Sequence, residues 1–288
     1  MYLKYGSNFL KYLNGMFSFV IVNLLNYEVF AARDRLGIKP LYWWKQNNKI
    51  IFSSEISSIL KLKNCDLDDF AIRQYKKLRM TLKDYTFYSQ IKSFPPGSYF
   101  KNNKIYKYWK LEIEDKKPPK YDDLRYLIED SINIRKISDV PFGTFLSGGL
   151  DSSIISAVAE PNHTWTVGFN NNNEFKWSDL ANKKIKSKVH KLTLNKNNFK
   201  NILNNMIRKR FEPLNVPNEV LLYALSVKMK NYNTVVLSGE GADELFWGYD
   251  RIFKWAVKKK KINYQEFDNI YCYGSNKDDE IIDFALNG

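Results

Sequence analysis

The segment PFGTFLSGGLDSS at residues 141–153 constrains the fold more than any other part of the sequence. Its apolar run at 142–146 predicts a short buried strand. A helical pattern follows the Ser-Gly-Gly turn, with Ile154, Ile155 and Val158 on one face. Unpaired backbone N–H groups and the positive end of the helix dipole then point at one place. A strand, a glycine turn and a helix in this order predict an anion-binding loop.

The side chains of this loop favour a phosphate that is accompanied by a divalent cation. Gly148 and Gly149 let the backbone approach a phosphate closely, because they carry no Cβ atom. Three hydroxyl donors follow the strand: Ser147, Ser152 and Ser153. Asp151 would repel a phosphate unless a cation bridges the two groups, and Mg²⁺ prefers such oxygen ligands. A Ser- and Gly-rich helix cap is the plainer alternative.

The seven residues SGGLDSS at 147–153 resemble the pyrophosphate-binding loop of the ATP pyrophosphatases. Those enzymes split ATP between its α and β phosphates. No lysine closes the loop, so it differs from the GxxxxGK(S/T) loop of kinases and GTPases.

Composition bounds the class of protein to which the chain belongs. Hydrophobic residues make up 44% of 288 residues, a globular value that allows two modest domains. Cys65 and Cys272 are far apart and predict neither a disulfide framework nor a zinc site. The sequence shows no long apolar run and no signal-peptide pattern, so we expect no membrane span and a cytoplasmic location. Lysine is spread along the whole chain, so its net charge of +14 does not lead us to expect a nucleic-acid partner.

The two halves of the chain differ in their secondary-structure pattern. Residues 1–60 predict short strands, with 16–22 and 28–32 forming a hairpin. Beyond residue 121, strands alternate with helices, a pattern typical of a parallel sheet covered on both faces. We therefore predict an α/β protein in which a β-rich domain precedes a parallel-sheet domain. The loop at 147–153 would lie at the carboxyl end of its strand, where such sheets bind ligands.

Several N-terminal segments resemble one protein family. LNGMFSFVIV at 13–22, AARDRLGIKPLYW at 31–43 and FSSEISSIL at 52–60 are similar to the second half of the glutaminase domain of glutamine-dependent asparagine synthetases. FPPGSY at 94–99 and the pair Tyr108-Trp109 match the end of that domain. The resemblance implies a partial N-terminal-nucleophile domain at 1–115, a linker at 116–121 and an ATP-pyrophosphatase-type synthetase domain at 122–288.

The resemblance also implies that parts of the family pattern are missing. Family members use an N-terminal cysteine as the glutaminase nucleophile, and no cysteine lies near the start of this sequence. Relative to the family we expect a chain truncated at both ends, which cannot hydrolyse glutamine by itself. A homodimer or a complementary half from a split gene is the partner we would expect for such a chain.

A second loop, SGEGADELFWGY at 238–249, resembles the family's SGEGADELFGGY and departs from it at Trp247. Three acidic residues within five positions would repel one another without a cation, which again indicates magnesium. An acidic turn that caps a helix is the alternative for this loop taken in isolation.

The resemblance implies ATP-dependent amidation of aspartate to asparagine through β-aspartyl-AMP, with release of AMP and pyrophosphate and with ammonia as the donor. Glu240 would be the base for ammonia, and Asp151 and Asp243 would hold Mg²⁺. The residues implied in ATP and pyrophosphate binding are Leu146, Ser147, Gly148, Gly149, Leu150, Asp151, Ser152, Ser153, Val167, Ser238 and Gly239. His163 and His190 are expected to be structural.

Other functions remain open at this point. Phe211 stands where the family has an acidic residue, so the acceptor could be another carboxylate, such as a sugar acid, a peptide or a β-amino acid. An inactive fragment that binds a partner is a further hypothesis. A tRNA-modifying ATP pyrophosphatase is disfavoured by the glutaminase-like segments.

Overall fold

A computed structural model describes residues 1–112, 119–258, 264–274 and 278–287. The described residues fall into two compact units. The first unit comprises those within Met1–Asp115, Lys209–Pro213 and Asn263–Gly288, and the second unit those within Lys116–Arg208 and Leu214–Ile262.

Short helices and strands alternate irregularly up to residue 107. They are α1 Tyr2–Tyr5, a 3-10 helix Gly6–Tyr12, β1 Ser18–Val22, β2 Val29–Arg33, β3 Tyr42–Gln46, β4 Lys49–Ser53, α2 Ile56–Leu60, α3 Asp69–Leu78, β5 Ile91–Ser93, β6 Ser98–Lys101 and β7 Lys104–Lys107. From residue 119 onward the elements are α4 Tyr121–Arg135, β8 Phe142–Phe145, α5 Leu150–Ala159, β9 His163–Phe169, α6 Phe175–Ile185, β10 Lys188–Leu194, α7 Lys196–Arg210, α8 Asn218–Met229, β11 Val235–Leu237, α9 Ala242–Phe246, α10 Asp250–Val257, α11 Tyr264–Tyr271 and α12 Asp279–Asn287.

Two antiparallel sheets form the first unit, in the orders β1-β2-β6-β7 and β4-β3-β5. Side chains alternate between the faces of a strand, so Ala31 joins the core between the sheets while Phe30 and Ala32 face the N-terminal helices. Trp44 of the second sheet packs in the same way against Ile56 of α2. The predicted hairpin is confirmed, because β1 pairs with β2 from Ser18–Val22 to Val29–Arg33.

The last two helices pack in this first unit, where α12 contacts α3. Lys77 on α3 has only 3% of its side chain exposed, forms an ion pair with Asp268 and donates a hydrogen bond to the Gly274 carbonyl at 3.2 Å. Arg73, also on α3, forms an exposed ion pair with Asp278 at 2.6 Å. These contacts join residues nearly two hundred positions apart in sequence.

A four-stranded parallel sheet, in the order β10-β9-β8-β11, forms the centre of the second unit. The chain passes from β8 through β9 to β10 in one direction and then returns to place β11 on the other side of β8. The crevice at the carboxyl ends of β8 and β11 is therefore a topological switch point, where open α/β sheets bind ligands. The predicted α/β class with a parallel sheet and helices is confirmed.

Buried side chains of the sheet pack against α8 and form a hydrophobic core. Trp165 on β9 is fully buried and packs with Leu225 and Met229 of α8. Of the predicted linker at 116–121, residues 116–118 lie outside the described residues, and the domain bounds stay a prediction. In the part of the chain that the structure describes, none of the helices combines the length and apolar character needed to cross a bilayer.

Candidate functional site

The loop after β8 leads directly into the N-terminus of α5. Gly149 is the N-cap residue of α5 and provides no side-chain cap, so the first N–H groups of the helix stay available to a ligand. Gly148 has φ +92°, a left-handed conformation that glycine adopts without strain. A Cβ at Gly148 would also lie 2.6 Å from the backbone nitrogen of Ser178. The turn therefore requires glycine at this position.

Two serine hydroxyls are gathered at the start of this helix. Ser147 Oγ and Ser152 Oγ lie 3.0 Å apart, and the Gly149 N–H donates to Ser147 Oγ at 3.1 Å. Ser152 Oγ also donates to the Gly149 carbonyl at 3.2 Å. These contacts bring hydroxyl and N–H donors close together at the start of α5.

The loop after β11 meets the loop after β8 because the two strands are parallel neighbours. Val235 pairs with Phe142 and Leu237 with Thr144. A Cβ at Gly239 would lie 3.0 Å from Asp151 Cβ, so glycine permits the close approach of the two loops. The two motifs therefore form one site.

A cavity of about 290 Å³ lies between these loops. Five carboxylate side chains line it: Asp151, Glu174, Glu240, Asp243 and Glu244. Apolar and backbone groups from Phe145, Trp165, Leu222 and Leu225 complete the wall. None of the lining residues, all of which the structure describes, is Lys or Arg. A bound polyphosphate would therefore depend on backbone N–H groups, hydroxyls and a cation.

Most of the residues that the sequence predicted for the site do line this cavity. They are Leu146, Ser147, Gly149, Asp151, Ser152, Val167, Ser238, Gly239, Glu240 and Asp243. Gly148, Leu150 and Ser153 do not line it, and Leu150 is 75% exposed. The predicted binding role of each of these residues stays a prediction.

Glu174, Glu244 and Tyr249 are among the lining residues to which the sequence analysis gave no role. Glu174 lies just beyond β9, at the same edge of the sheet as the two motif loops, and that position was the available signal. Glu244 and Tyr249 belong to the second motif but received no role. The Tyr249 hydroxyl donates to Glu244 Oε1 at 2.8 Å, and this hydrogen bond raises the pKa of Tyr249 to about 12.

The carboxylates of the cavity suit a cation that is bound partly by the protein and partly by phosphate oxygens. Within the described ranges, no group of three or more His, Cys, Asp or Glu is placed to hold a metal ion. Asp151 and Asp243 supply hard oxygen ligands in the same cavity, which suits Mg²⁺ bound through one or two carboxylates and phosphate oxygens.

His163 and His190 lie away from the switch point. His163 begins β9 and its Nδ1 lies 2.8 Å from His190 Nε2 on β10. His190 stacks on Trp165 with ring centroids 4.0 Å apart. Neither histidine lines the cavity.

Comparison with known families gives matches over most of the chain. Residues 123–275 match the asparagine synthase family, and residues 1–109 match the glutamine amidotransferase domain. The first range contains both loops of the cavity.

Curated relatives cover the same region. Asparagine synthetase (glutamine-hydrolyzing) 1 of Bacillus subtilis is 34% identical over 86% of this chain and 42% of its own length. Putative asparagine synthetase (glutamine-hydrolyzing) 2 of Methanocaldococcus jannaschii is 32% identical over 86% of this chain and 52% of its own length. The chain thus spans about half the length of these relatives. Among solved structures, NMN synthetase from Francisella tularensis aligns with 44% of this chain and 56% of that chain at 18% identity and a TM-score of 0.32, too distant to bear on function.

Proposed function

Because this chain belongs to the asparagine synthase family, we propose that its second unit activates the side-chain carboxylate of aspartate with ATP and converts it to an amide with ammonia. The products would be asparagine, AMP and pyrophosphate. The observation that carries this proposal is the cavity at the switch point, where both motif loops supply lining residues.

In the first step, a carboxylate oxygen of aspartate attacks the α-phosphorus of ATP. The bond between the α-phosphorus and the bridging oxygen breaks, pyrophosphate leaves and β-aspartyl-AMP forms. The N–H groups at the start of α5 and the hydroxyls of Ser147 and Ser152 would bind the leaving pyrophosphate; their closeness at the helix start supports this role. Asp151 and Asp243 would hold Mg²⁺, which when bound neutralises charge on the phosphate oxygens.

In the second step, ammonia attacks the acyl carbon and AMP leaves. The attacking nitrogen loses a proton, so a nearby carboxylate is needed as a base. Glu240 suits this role because it lines the cavity on the loop that follows β11. The nucleoside would lie on the cavity wall formed by Leu146, Val167 and Gly239.

Cys65 and Cys272 differ in one respect from the nucleophile of a glutaminase. A glutaminase needs an activated thiolate, which a lowered pKa favours. Burial, followed by the charge of Asp66, raises the pKa of the Cys65 thiol. Burial and Asp268 raise the pKa of Cys272 to about 11. In both thiols the pKa is thus shifted away from the direction that favours a thiolate.

A second candidate is amidation of a different carboxylic acid, such as a sugar acid or a peptide. The cavity favours this alternative in one respect, because no Lys or Arg among its lining residues could pair with the second carboxylate of aspartate. An acceptor with a single carboxylate would leave no such charge unpaired.

The experiment is ATP–pyrophosphate exchange by the purified chain with Mg²⁺ and ammonium, with aspartate, glucuronate or a peptide carboxylate as acceptor. Exchange stimulated by aspartate alone supports asparagine synthesis. Exchange stimulated by another acid and not by aspartate supports the second candidate. A folded chain, verified by circular dichroism, that catalyses exchange with none of these acids contradicts both.

A further inference from the structure

A groove in the first unit runs along one edge of β4. Within the described residues, β4 pairs with β3 on one side and forms the edge of the sheet β4-β3-β5 on the other. The groove has a volume of about 530 Å³ and is lined by β4, by Trp44 of β3 and by Leu62 and Lys63 beyond α2. An edge strand presents backbone N–H and C=O groups to which a further strand can bind. The groove therefore lies where an added segment would extend the sheet.

Three consecutive residues of β4, at positions 49–51, line this groove. Ile50 packs into the core between the two sheets, together with Phe52. Ile51 faces the other way, where it packs with Trp44 and with α2. Because consecutive side chains of a strand point to opposite faces, a groove lined by all three residues follows the edge of the strand rather than one face of the sheet.

The chain after α2 provides an apolar wall of the groove. The N–H groups of Leu62 and Lys63 both donate to the Ile59 carbonyl at 2.9 Å, and both residues line the groove. Leu62 keeps 67% of its surface exposed, whereas Trp44 keeps only 5%. An aliphatic side chain that covered Leu62 would remove apolar surface from water, which favours its binding.

The groove is positively charged. The Lys63 ammonium lies 4.7 Å from the centre of the Trp44 ring, a cation–π contact that holds it at the groove. Lys49, the first residue of β4, also lines the groove. None of the lining residues, each of which falls in the described ranges, is Asp or Glu. The two ammonium groups therefore favour a ligand that carries negative charge beside its apolar groups.

The same features disfavour two other occupants of the groove. Pairing of two β4 edges from two copies of the chain would bring like charges together, and a lysine on an edge strand is a common protection against such self-association. A polynucleotide would complement the charge, but Trp44 is buried and offers no open ring for base stacking. An acidic peptide matches the backbone edge, the apolar wall and the charge at once.

We propose that the β4 groove binds an extended acidic peptide segment of a partner protein, which adds to the sheet as a strand beside β4. Backbone hydrogen bonds to β4 would supply affinity, and contacts of alternate side chains would supply specificity. Its apolar side chains would contact Leu62 and its acidic side chains Lys49 and Lys63. β4 has five residues, so a segment of about five residues spans it. The inference concerns the first unit alone and is independent of the reaction proposed for the second.

The test measures binding of labelled peptides to the whole purified chain by fluorescence polarisation. The probe peptide alternates Val and Glu, and a matched peptide carries Lys in place of Glu. A third peptide has the acidic sequence with two central prolines, which remove backbone donors. We expect the acidic peptide to bind roughly tenfold more tightly than the basic peptide, because two lysines attract the one and repel the other. The peptide with prolines should not bind.

Variants separate the groove from diffuse attraction by the positive charge of the whole chain. Lys49→Glu and Lys63→Glu, made singly, should each weaken binding of the acidic peptide roughly fivefold. Lys104→Glu is the matched control, because this exposed lysine lies on the edge strand β7, does not line the groove and gives the same change in net charge. It should leave the affinity unchanged.

Hydrogen exchange of the β4 backbone amides reports the added strand directly. We expect exchange in β4 to slow when the acidic peptide is bound, because new backbone hydrogen bonds protect the edge. No binding of the acidic peptide, equal binding of the acidic and basic peptides, equal effects of the groove and control variants, or unchanged exchange in β4 would each overturn the proposal. Slow exchange in β4 that depends on protein concentration without peptide would overturn it in favour of a second copy of the chain.

Discussion

His163 Nδ1 and His190 Nε2 lie 2.8 Å apart, so the two imidazoles of the chain share one hydrogen bond between adjacent parallel strands. One ring must donate and the other must accept, which requires at least one neutral imidazole. The rings also contact Trp165 and Tyr232. Burial is the largest cause that lowers the pKa of His190, followed by the charges of His163, Lys188 and Lys228.

This pair makes the stability of the second unit depend on pH. Because the pKa of His190 is lower in the folded state than its ordinary value of 6.5, the native chain binds fewer protons than the unfolded chain. The stability that neutral His190 contributes is present above pH 6.5 and is lost as pH falls below it. Urea unfolding at pH 5 and pH 7 should show a larger loss for the wild type than for His190→Gln. Equal losses would contradict a role for the pair.

Two glycines with the same backbone conformation provide a matched comparison. Gly148 and Gly241 both have φ +92°, but only Gly148 has neighbours that an added Cβ would meet within 4 Å. We expect Gly241→Ala to cost about 1 kcal/mol through its backbone conformation alone. Gly148→Ala should cost distinctly more and weaken nucleotide binding, because the loop must also move away from Ser178. The check is urea unfolding together with titration of a fluorescent ATP analogue, and equal effects of the two substitutions would argue against a fitted loop.

Asp151→Asn should abolish Mg²⁺-dependent ATP–pyrophosphate exchange. Asp151 would hold the cation that neutralises charge on the phosphates, and loss of such electrostatic stabilisation typically costs about 100-fold or more in rate. Asp122→Asn, an exposed acid in the first turn of α4, is the control and should leave exchange unchanged. Unchanged exchange in Asp151→Asn would remove this residue from the site.

Glu240→Gln should separate the two chemical steps. The base acts only when ammonia attacks, and loss of a general base typically slows a reaction by about 100-fold or more. Amide formation should therefore fall steeply while exchange and nucleotide binding are largely retained. Parallel assays of exchange and of amide product test this, and an equal fall in both would assign Glu240 to nucleotide binding instead.

The buried ion pair of Lys77 and Asp268 should stabilise the first unit. Asp268→Asn leaves the ammonium of Lys77 buried beside a neutral group, and loss of one partner of a buried pair typically costs about 3 kcal/mol. Arg73→Gln removes exposed ion pairs with Asp278 and Glu280 and should cost less, because water screens such pairs. Chemical denaturation, monitored with a spectroscopic probe in the first unit, tests whether Asp268→Asn costs more stability than Arg73→Gln. A larger cost for Arg73→Gln would show that the Lys77 pair is not a stabilising contact.

Local patterns were sufficient to predict the parallel sheet and the loop that follows β8, whereas most of the individual site residues were predicted from the family resemblance. The strand His163–Phe169 and the two loops near Asp151 and Gly239 could be predicted because short apolar runs and glycines mark them in the sequence. Once strands alternate with helices, the edge of the sheet that binds ligands follows from topology. No knowledge of side-chain contacts was needed for these predictions.

The features that the sequence analysis missed depend on contacts between distant or unremarkable positions. Glu174 reaches the cavity only because β9 ends at the same edge as β8. The bond from Tyr249 to Glu244 depends on a left-handed backbone at Trp247, which no residue-type pattern predicts for tryptophan. The pairing of Lys77 with Asp268 joins helices that are far apart in sequence, and local periodicity carries no information about it.

The strand order of the second unit also determines when the cavity can form while the chain is being synthesised. β8 leaves the ribosome early with the first loop attached, yet its neighbour β11 is made only after β9, β10 and α8. Every nascent chain that ends before Leu237 therefore carries the loop after β8 without the strand that forms the opposing side of the cavity. Nucleotide can stabilise only the finished sheet, because a ligand stabilises the state that binds it. The cavity can therefore form only after β11, which is synthesised after the other three strands of this sheet.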